Sequence, residues 1–256
     1  MLTSYSDRDT QIVNNGMYND LGQKWYLAED DPVALLRAEA RLRSPWICAE
    51  ILRHMEQPAA DLRVLDVGCG AGFLSNYLAS AKMQVTGVDL SESSLDVARQ
   101  MDLTRSATYL VADAYKLPFA DASFDVITST DFLEHVSEPQ IVLSEISRCL
   151  KPGGLFFFHT FNKNRLAQLV VIKALEWFVK NTPPHLHVLE LFIKPQTLTK
   201  WLSELKMQVI EIRGIRPIVL QWPMLKLIFR GIVAHQFRFT WTRSLMISYT
   251  GFARRS

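Results

Sequence analysis

The residues best suited to hold a small molecule are a glycine-rich turn and three aspartates associated with apolar runs. The turn is VLDVGCGAG, Val64–Gly72. Glycine has no Cβ, so Gly68 and Gly70 let the backbone take φ > 0 and let a ligand approach the main chain. Open α/β sheets bind ligands beyond the carboxyl ends of their strands, at turns of this kind. Dinucleotide sites use G-x-G-x-x-G spacing and point a helix N-terminus at the pyrophosphate. Here the spacing is G-x-G-x-G, and Asp66 precedes it. A carboxylate beside the turn suits a cationic ligand better than a pyrophosphate. Asp89 closes the next apolar run, about 20 residues on, where a carboxylate can accept both hydroxyl protons of a ribose. Asp113 closes a third run and is placed to meet an adenine amino group, with the backbone of Ala114 beside it.

A ligand with an adenine, a ribose and a cationic end describes S-adenosylmethionine (SAM), whose sulfonium and ammonium are both positive. S-adenosylhomocysteine (SAH) is then the product.

A sheet must position these residues. Strand-type runs at Arg63–Val67, Gln84–Asp89, Thr108–Ala112, Phe124–Ser129 and Leu155–Thr160 alternate with helical patterns at Phe73–Ala81, Ser94–Met101 and Gln140–Leu150. That alternation predicts parallel βαβ units in a doubly wound α/β fold. Lys151-Pro-Gly-Gly154 reads as a stop-and-turn signal. Upstream, Leu35–Met55 has helical spacing, whereas residues 1–20 are polar and expected to be loose. After Thr160 the rhythm breaks into a helical insertion, Asn162–Pro184, and a helix at Gln196–Leu205. Gln208–Ile215 and Leu245–Ala253 are candidates for a closing antiparallel hairpin. The expected organisation is an N-terminal helical segment, 1–62, and one domain, 63–256, with insertions near 162–194 and 217–243.

Composition sets outer bounds. With 256 residues, 48% hydrophobic and 21% charged, the chain can bury the core of one large α/β domain. A net charge of +2 is too small to argue for a nucleic-acid partner. Cys48, Cys69 and Cys149 are odd in number and lack metal-site spacing, which suits reduced thiols in a cytoplasmic protein. The start, MLTSYSDRDT, has no basic stretch followed by an apolar one, so no secretory signal is expected. No apolar run is long enough to span a bilayer. Charge is uneven, however: from Lys206 onward the only acid is Glu211.

The ordered set VLDVGCGAG, VTGVDLS, ADAYKLPFADASFDVI and LKPGG resembles the class I SAM-dependent methyltransferases. That resemblance implies a Rossmann-like, mostly parallel seven-stranded sheet with a final antiparallel strand. Further runs narrow it. Thr128–Val136, TSTDFLEHV, is similar to the acidic-EHV motif of the ubiquinone-biosynthesis O-methyltransferases. His159–Asn164 resembles their turn after the fifth strand, and Phe192-Ile-Lys-Pro195 resembles the start of a later helix, with His187 matching an upstream histidine. By position, the family's cofactor contacts fall on Arg43, Gly68, Asp89 and Thr130, with Arg43 meeting the SAM carboxylate, a bidentate task suited to guanidinium. Two departures stand out. The family usually has Glu where Asp131 stands, and it lacks the basic aromatic segment around Pro217–Arg243.

The resemblance implies methyl transfer to the oxygen of a phenol or catechol. A phenol has a pKa of about 10, so it must lose its proton before or during attack. A well-placed base does this; a divalent cation that binds a catechol is the other route. Asp131, Glu134 and His135 cluster at the end of the fourth strand and suit either route, or Glu134 and His135 simply cap the following helix. No metal-ligand set is assigned. His187 is a further candidate, in a proline-flanked loop.

The acceptor implied is a polyprenylated quinone precursor. Asn162–Lys180 and Pro217–Arg243 both mix basic residues with Trp, Phe and Leu, as an interfacial helix requires. They read either as a peripheral contact with the inner membrane surface or as a lid over the site or a dimer contact. Two other functions stay open: methylation of a different small hydrophobic acceptor, and SAM binding without catalysis.

Overall fold

The computed structural model describes residues 14–256. The looseness expected of residues 1–13, and the start of the chain read for a signal, lie outside the described residues. Residues 14–20 are not loose. Asn15–Asp20 form a 3-10 turn, followed by the helical turn Lys24–Leu27. Good helix formers after Pro32 then make one helix, α1 (Val33–His54), with Pro45 inside it.

The expected alternation follows: β1 (Arg63–Val67), α2 (Phe73–Ser80), β2 (Gln84–Asp89), α3 (Glu92–Met101), β3 (Thr108–Val111), β4 (Phe124–Thr130), α4 (Pro139–Cys149) and β5 (Leu150–Phe161). Lys151–Gly154 belong to β5, and the break expected there is a shift in the β4–β5 register between Phe124 and Val126. Next come α5 (Arg165–Ala167, Gln168–Lys173 and Ala174–Phe178, its middle wound as π-helix), α6 (Pro195–Glu204), β6 (Met207–Pro217), α7 (Trp222–Arg230), β7 (Phe239–Thr242) and β8 (Ser248–Arg255).

The strand order is β3-β2-β1-β4-β5-β8-β6-β7. β1 to β5 pair in parallel, and β8 runs antiparallel between β5 and β6. The sheet thus has eight strands, not the expected seven. The added strand, β7, comes from the basic aromatic segment and pairs with the last four residues of β6, Ile215 facing Trp241. Its sequence, Phe-Thr-Trp-Thr, is strongly β-prone. By pairing there it covers backbone groups of β6 that would otherwise form an open edge.

Strands buried on both faces need apolar side chains in succession, which is why the sheet centre reads as runs such as Leu155–Phe158. Phe156 and Phe158 pack with Leu65, Ile127, Leu143 and Ile146 on the α4 side, whereas Phe157 packs with Ile47, Ile51, Leu74 and Leu78 on the α1–α2 side. Both insertions share one smaller core with the first half of α1: Ala34, Ala38, Val179, Leu227, Val233 and Phe237. The insertions are therefore built onto each other and onto the helix that carries Arg43.

Candidate active site

The carboxyl ends of β1, β2 and β4 open on a cavity of about 450 Å³. The glycine turn forms its floor. Gly68 sits at φ +71°, and a Cβ there would lie 2.2 Å from the Phe132 ring, so neither the backbone nor the space admits a side chain. Gly72 caps the start of α2 at φ +78°, with Tyr109 and Ala98 too close for any Cβ.

Asp89 shapes this turn as well as facing the cavity. Its Oδ2 accepts from Gly70 N–H and its Oδ1 from Ser91 N–H, both at 2.9 Å. Asp113 and Ala114 line the same cavity, as do Gly68, Gly70, Thr130 and Arg43. Asp113 Oδ1 also accepts from Tyr115 N–H, which holds its loop. Asp66 lines the cavity too, but its carboxylate is spent within the protein. Oδ2 accepts from Ser75 and Oδ1 from Thr128, each at 2.6 Å, and the side chain braces β1 against α2 and β4. Burial raises its pKa, which further weakens Asp66 as a free negative charge for a cation.

Arg43 is buried rather than spread on an exposed helix face. Its Nη2 donates to Asp131 Oδ2. Its Nη1 lies 3.8 Å from Glu39 Oε1 and has no hydrogen-bond partner. An unpaired buried guanidinium N–H is costly, and Arg43 lines the cavity. Asp131 occupies a left-handed backbone position, φ +55°, that Asp tolerates better than most residues. Burial pushes its carboxyl up, but Arg43 and His159 outweigh this, and the net shift is down. Asp131 is therefore an ionised partner committed to Arg43.

Behind this pair lie Glu39 and His159. His159 Nε2 is 3.1 Å from Glu39 Oε1 and 3.4 Å from Asp131 Oδ1. Burial and the Asp131 charge raise Glu39 to about 8, while burial and Arg43 lower His159 to about 3. Near neutral pH both are uncharged, and a protonated Glu39 can donate to His159 Nε2. Neither residue stood out in the sequence; a histidine ending the apolar run Phe156–Phe158, and a glutamate four residues before Arg43, were the only signals.

Glu134 and His135, adjacent in sequence, separate here. Glu134 is fully buried behind the wall, where Thr160 donates to its Oε2 at 2.8 Å, and it does not line the cavity. His135 does line it. Burial lowers the imidazole to about 4, so it is neutral, with one nitrogen free to accept a proton. His187 lies behind it, rings 5.2 Å apart, in an aromatic group with Phe161 and Phe192. It is a half-buried loop residue that packs against His135. Among the described residues, no group of three His, Cys, Asp or Glu side chains is arranged to hold a metal ion.

These shifts imply a stability optimum. Burial and the Asp131 charge raise Glu134 to about 8. Its contribution to stability is complete below its ordinary value of 4.5 and is lost as pH rises through 8, by about 2 kcal/mol between pH 6 and 8. The lowered histidines act oppositely: their contribution is complete above 6.5 and lost as pH falls toward their folded values. The urea midpoint is expected to peak between about pH 6 and 7. Glu134→Gln should lessen the alkaline fall, the rest coming from Glu39, which is raised alike, and equal wild-type midpoints at pH 6 and 8 would contradict the assignment.

The roof of the cavity is made largely by residues that the sequence left as a polar lead-in. Asn15, Gly16, Tyr18 and Asn19 line it, together with Trp25 of the aromatic pair that follows. Trp25 Nε1 donates to Ser94 Oγ at 3.2 Å, Ser94 Oγ to Tyr18 O at 3.0 Å, and Ser93 Oγ to Asn19 O at 2.8 Å. The start of α3 thus ties the roof down.

A family model described as a methyltransferase domain matches residues 65–158. Ubiquinone biosynthesis O-methyltransferase of Hahella chejuensis is 36% identical over 203 residues, 77% of this chain and 82% of that protein. The proteins of the same name from Burkholderia pseudomallei and Coxiella burnetii are 34% and 35% identical, again over 77% of this chain, and over 84% and 82% of their own lengths. The chain belongs to the ubiquinone biosynthesis O-methyltransferase family.

It is a SAM-dependent methyltransferase with a Rossmann-like α/β fold. Among solved structures, magnesium protoporphyrin IX methyltransferase from Synechocystis PCC 6803, with bound SAH, has a TM-score of 0.66 at 18% identity, covering 98% of this chain and 99% of that one. The [4+2]-cyclase SpnF also shares the fold, with a TM-score of 0.53 at 19% identity, covering 82% and 80%. A cyclase among the neighbours shows that the fold alone does not choose the acceptor. The cavity does fit SAM chemically: a carboxylate at Asp89, a second at Asp113 and the Arg43 guanidinium line one space.

Proposed function

We propose that the enzyme methylates a hydroxyl of a prenylated catechol or phenol in ubiquinone biosynthesis. What carries this reading is the match along 77% of the chain to relatives named for that activity. A neutral imidazole in the cofactor cavity supports the oxygen chemistry.

When bound, SAM supplies an electrophilic methyl carbon on a positively charged sulfur. Asp89 accepts from the ribose hydroxyls, Asp113 and the backbone of Ala114 meet the adenine, and Arg43 Nη1 donates to the carboxylate. Gly68 and Gly70 give the main chain close approach, and Thr130 forms the wall beside Asp131. Asp66 holds the turn, and Arg43 is itself aimed by Asp131 and Glu39. His135 takes the hydroxyl proton. Residues 63–256 make up the catalytic domain in this reading, and the segment before it is its cover. Methyl transfer from labelled SAM to a short-chain prenylated catechol tests the proposal. Full SAH binding without turnover of that acceptor would favour the second reading, another small hydrophobic acceptor. That alternative is motivated by the Arg43–Asp131 pair and by the segment that adds β7.

Peripheral membrane contact is part of the proposal. No helix among the described residues is long and apolar enough to cross a membrane. The outer face of α7 nevertheless exposes Trp222 (83%) and Phe229 (79%), preceded by Leu220 (96%), and Trp177 on the neighbouring α5 is 65% exposed. Lys173, Lys180, Lys226 and Arg230 are exposed around them. Basic heads beside aromatic rings suit an anionic bilayer surface, where a prenylated head group would be presented. Flotation with anionic vesicles is expected to carry the protein upward, and Trp222→Glu with Phe229→Glu should abolish this without changing SAH binding. Flotation unaffected by that double substitution would remove α7 from the contact.

A further inference from the structure

With His135 as the base of the proposed reaction, two residues of the roof meet its ring nitrogens. Asn15 Nδ2 donates to the main-chain oxygen of His135 at 2.9 Å, and Asn15 Oδ1 lies 3.2 Å from His135 Nδ1. A peptide carbonyl can only accept, so the NH2 group of Asn15 must face it and the amide oxygen must face the ring. That oxygen also only accepts, so His135 Nδ1 carries the hydrogen. In a neutral imidazole the other nitrogen, Nε2, then holds the free lone pair.

Nε2 is met by the Tyr18 hydroxyl at 3.4 Å, a long contact for a hydrogen bond. The Tyr18 ring stacks on Trp25 with centroids 5.5 Å apart and meets the His135 ring edge-on at 5.7 Å. Burial, and then the charges of Glu134 and Asp131, raise the Tyr18 hydroxyl well above its ordinary value, so it stays protonated and donates to Nε2.

We propose that Asn15 is a positioning residue for methyl transfer: it fixes His135 in its Nδ1–H form, while the Tyr18 hydroxyl rests at Nε2 until the acceptor hydroxyl takes that place. As the acceptor oxygen bonds the methyl carbon, the carbon–sulfur electron pair stays with sulfur and Nε2 receives the hydroxyl proton. His135 becomes an imidazolium whose Nδ1–H remains bonded to Asn15, and its new proton later passes to solvent. Because the same segment roofs the cofactor cavity, the base has its correct tautomer only when the roof is in place.

The test uses the full chain with SAH bound and 15N-labelled histidine, so that nitrogen shifts report which His135 nitrogen carries hydrogen. The wild type is expected to show Nδ1–H and a bare Nε2. Asn15→Leu should move hydrogen to Nε2 and lower kcat by about tenfold or more, leaving KM for a short-chain prenylated catechol and the SAH dissociation constant within about threefold. Asn15→Asp keeps an acceptor at Nδ1. It should hold the tautomer, recover most of kcat and shift the acid limb of kcat/KM upward by favouring the imidazolium. A bare Nδ1 in the wild type would overturn the proposal, as would an Asn15→Leu variant with unchanged tautomer and kcat. If His135→Ala retains full activity, the base assignment fails instead, and the nitrogen shifts still report whether Asn15 sets the tautomer.

Discussion

Asp89→Ala is expected to weaken SAH binding by about a hundredfold or more, measured by calorimetric titration of folded protein. Two effects add. The cavity loses the carboxylate proposed to meet the ribose hydroxyls, and hydrogen bonds to a charged group contribute about 1.5–3 kcal/mol each. The turn loses its brace as well, because Asp89 holds the N–H groups of Gly70 and Ser91 at 2.9 Å. Asp89→Asn retains one oxygen and should fall between wild type and alanine. A dissociation constant for Asp89→Ala within about threefold of wild type would remove Asp89 from the cofactor site.

His135→Ala has the second large effect, on kcat rather than on cofactor affinity. A positioned general base contributes about 10²–10⁴ in rate, and the variant should lose that much methyl transfer while binding SAH normally. The alternatives in the same wall are poorly suited. Asp131 is ionised and committed to Arg43, and Glu134 is sealed behind the cavity. Since burial holds His135 at about 4, the wild type should show no acid limb from this group between about pH 5.5 and 7. A limb near 6.5 that disappears in the variant would mean that the imidazole is more solvated than its burial indicates. Unchanged kcat would return the choice to Asp131 or to a metal-assisted route.

Local pattern carried the catalytic core. The β1 turn, Asp89 and Asp113 were legible because backbone conformation and strand ends are written within a few residues: glycine where φ is positive, a carboxylate where an apolar run stops. Helices α2 to α4 were legible for the same reason, as apolar spacing that alternates with strands. The edge strand β7 was not, since Phe239–Thr242 becomes a strand only when β6 extends far enough to offer it a partner. Nor was the roof, because Asn15 and Tyr18 are unremarkable polar and aromatic residues until folding brings them 120 and 117 residues along the chain to His135.

Which acid or base does what was decided in three dimensions. The sequence offered Asp131, Glu134 and His135 as one cluster; the fold pairs the first with Arg43, buries the second against Thr160 and leaves the third facing the cavity. By itself, then, the sequence determined the fold class and the donor of the methyl group, and it put Asp89 and Asp113 where apolar runs stop, because those depend on short-range pattern. Protonation states, the partner of Arg43, the cover over the site and the eighth strand depended on burial and on contacts between distant segments, and only the tertiary structure decides those.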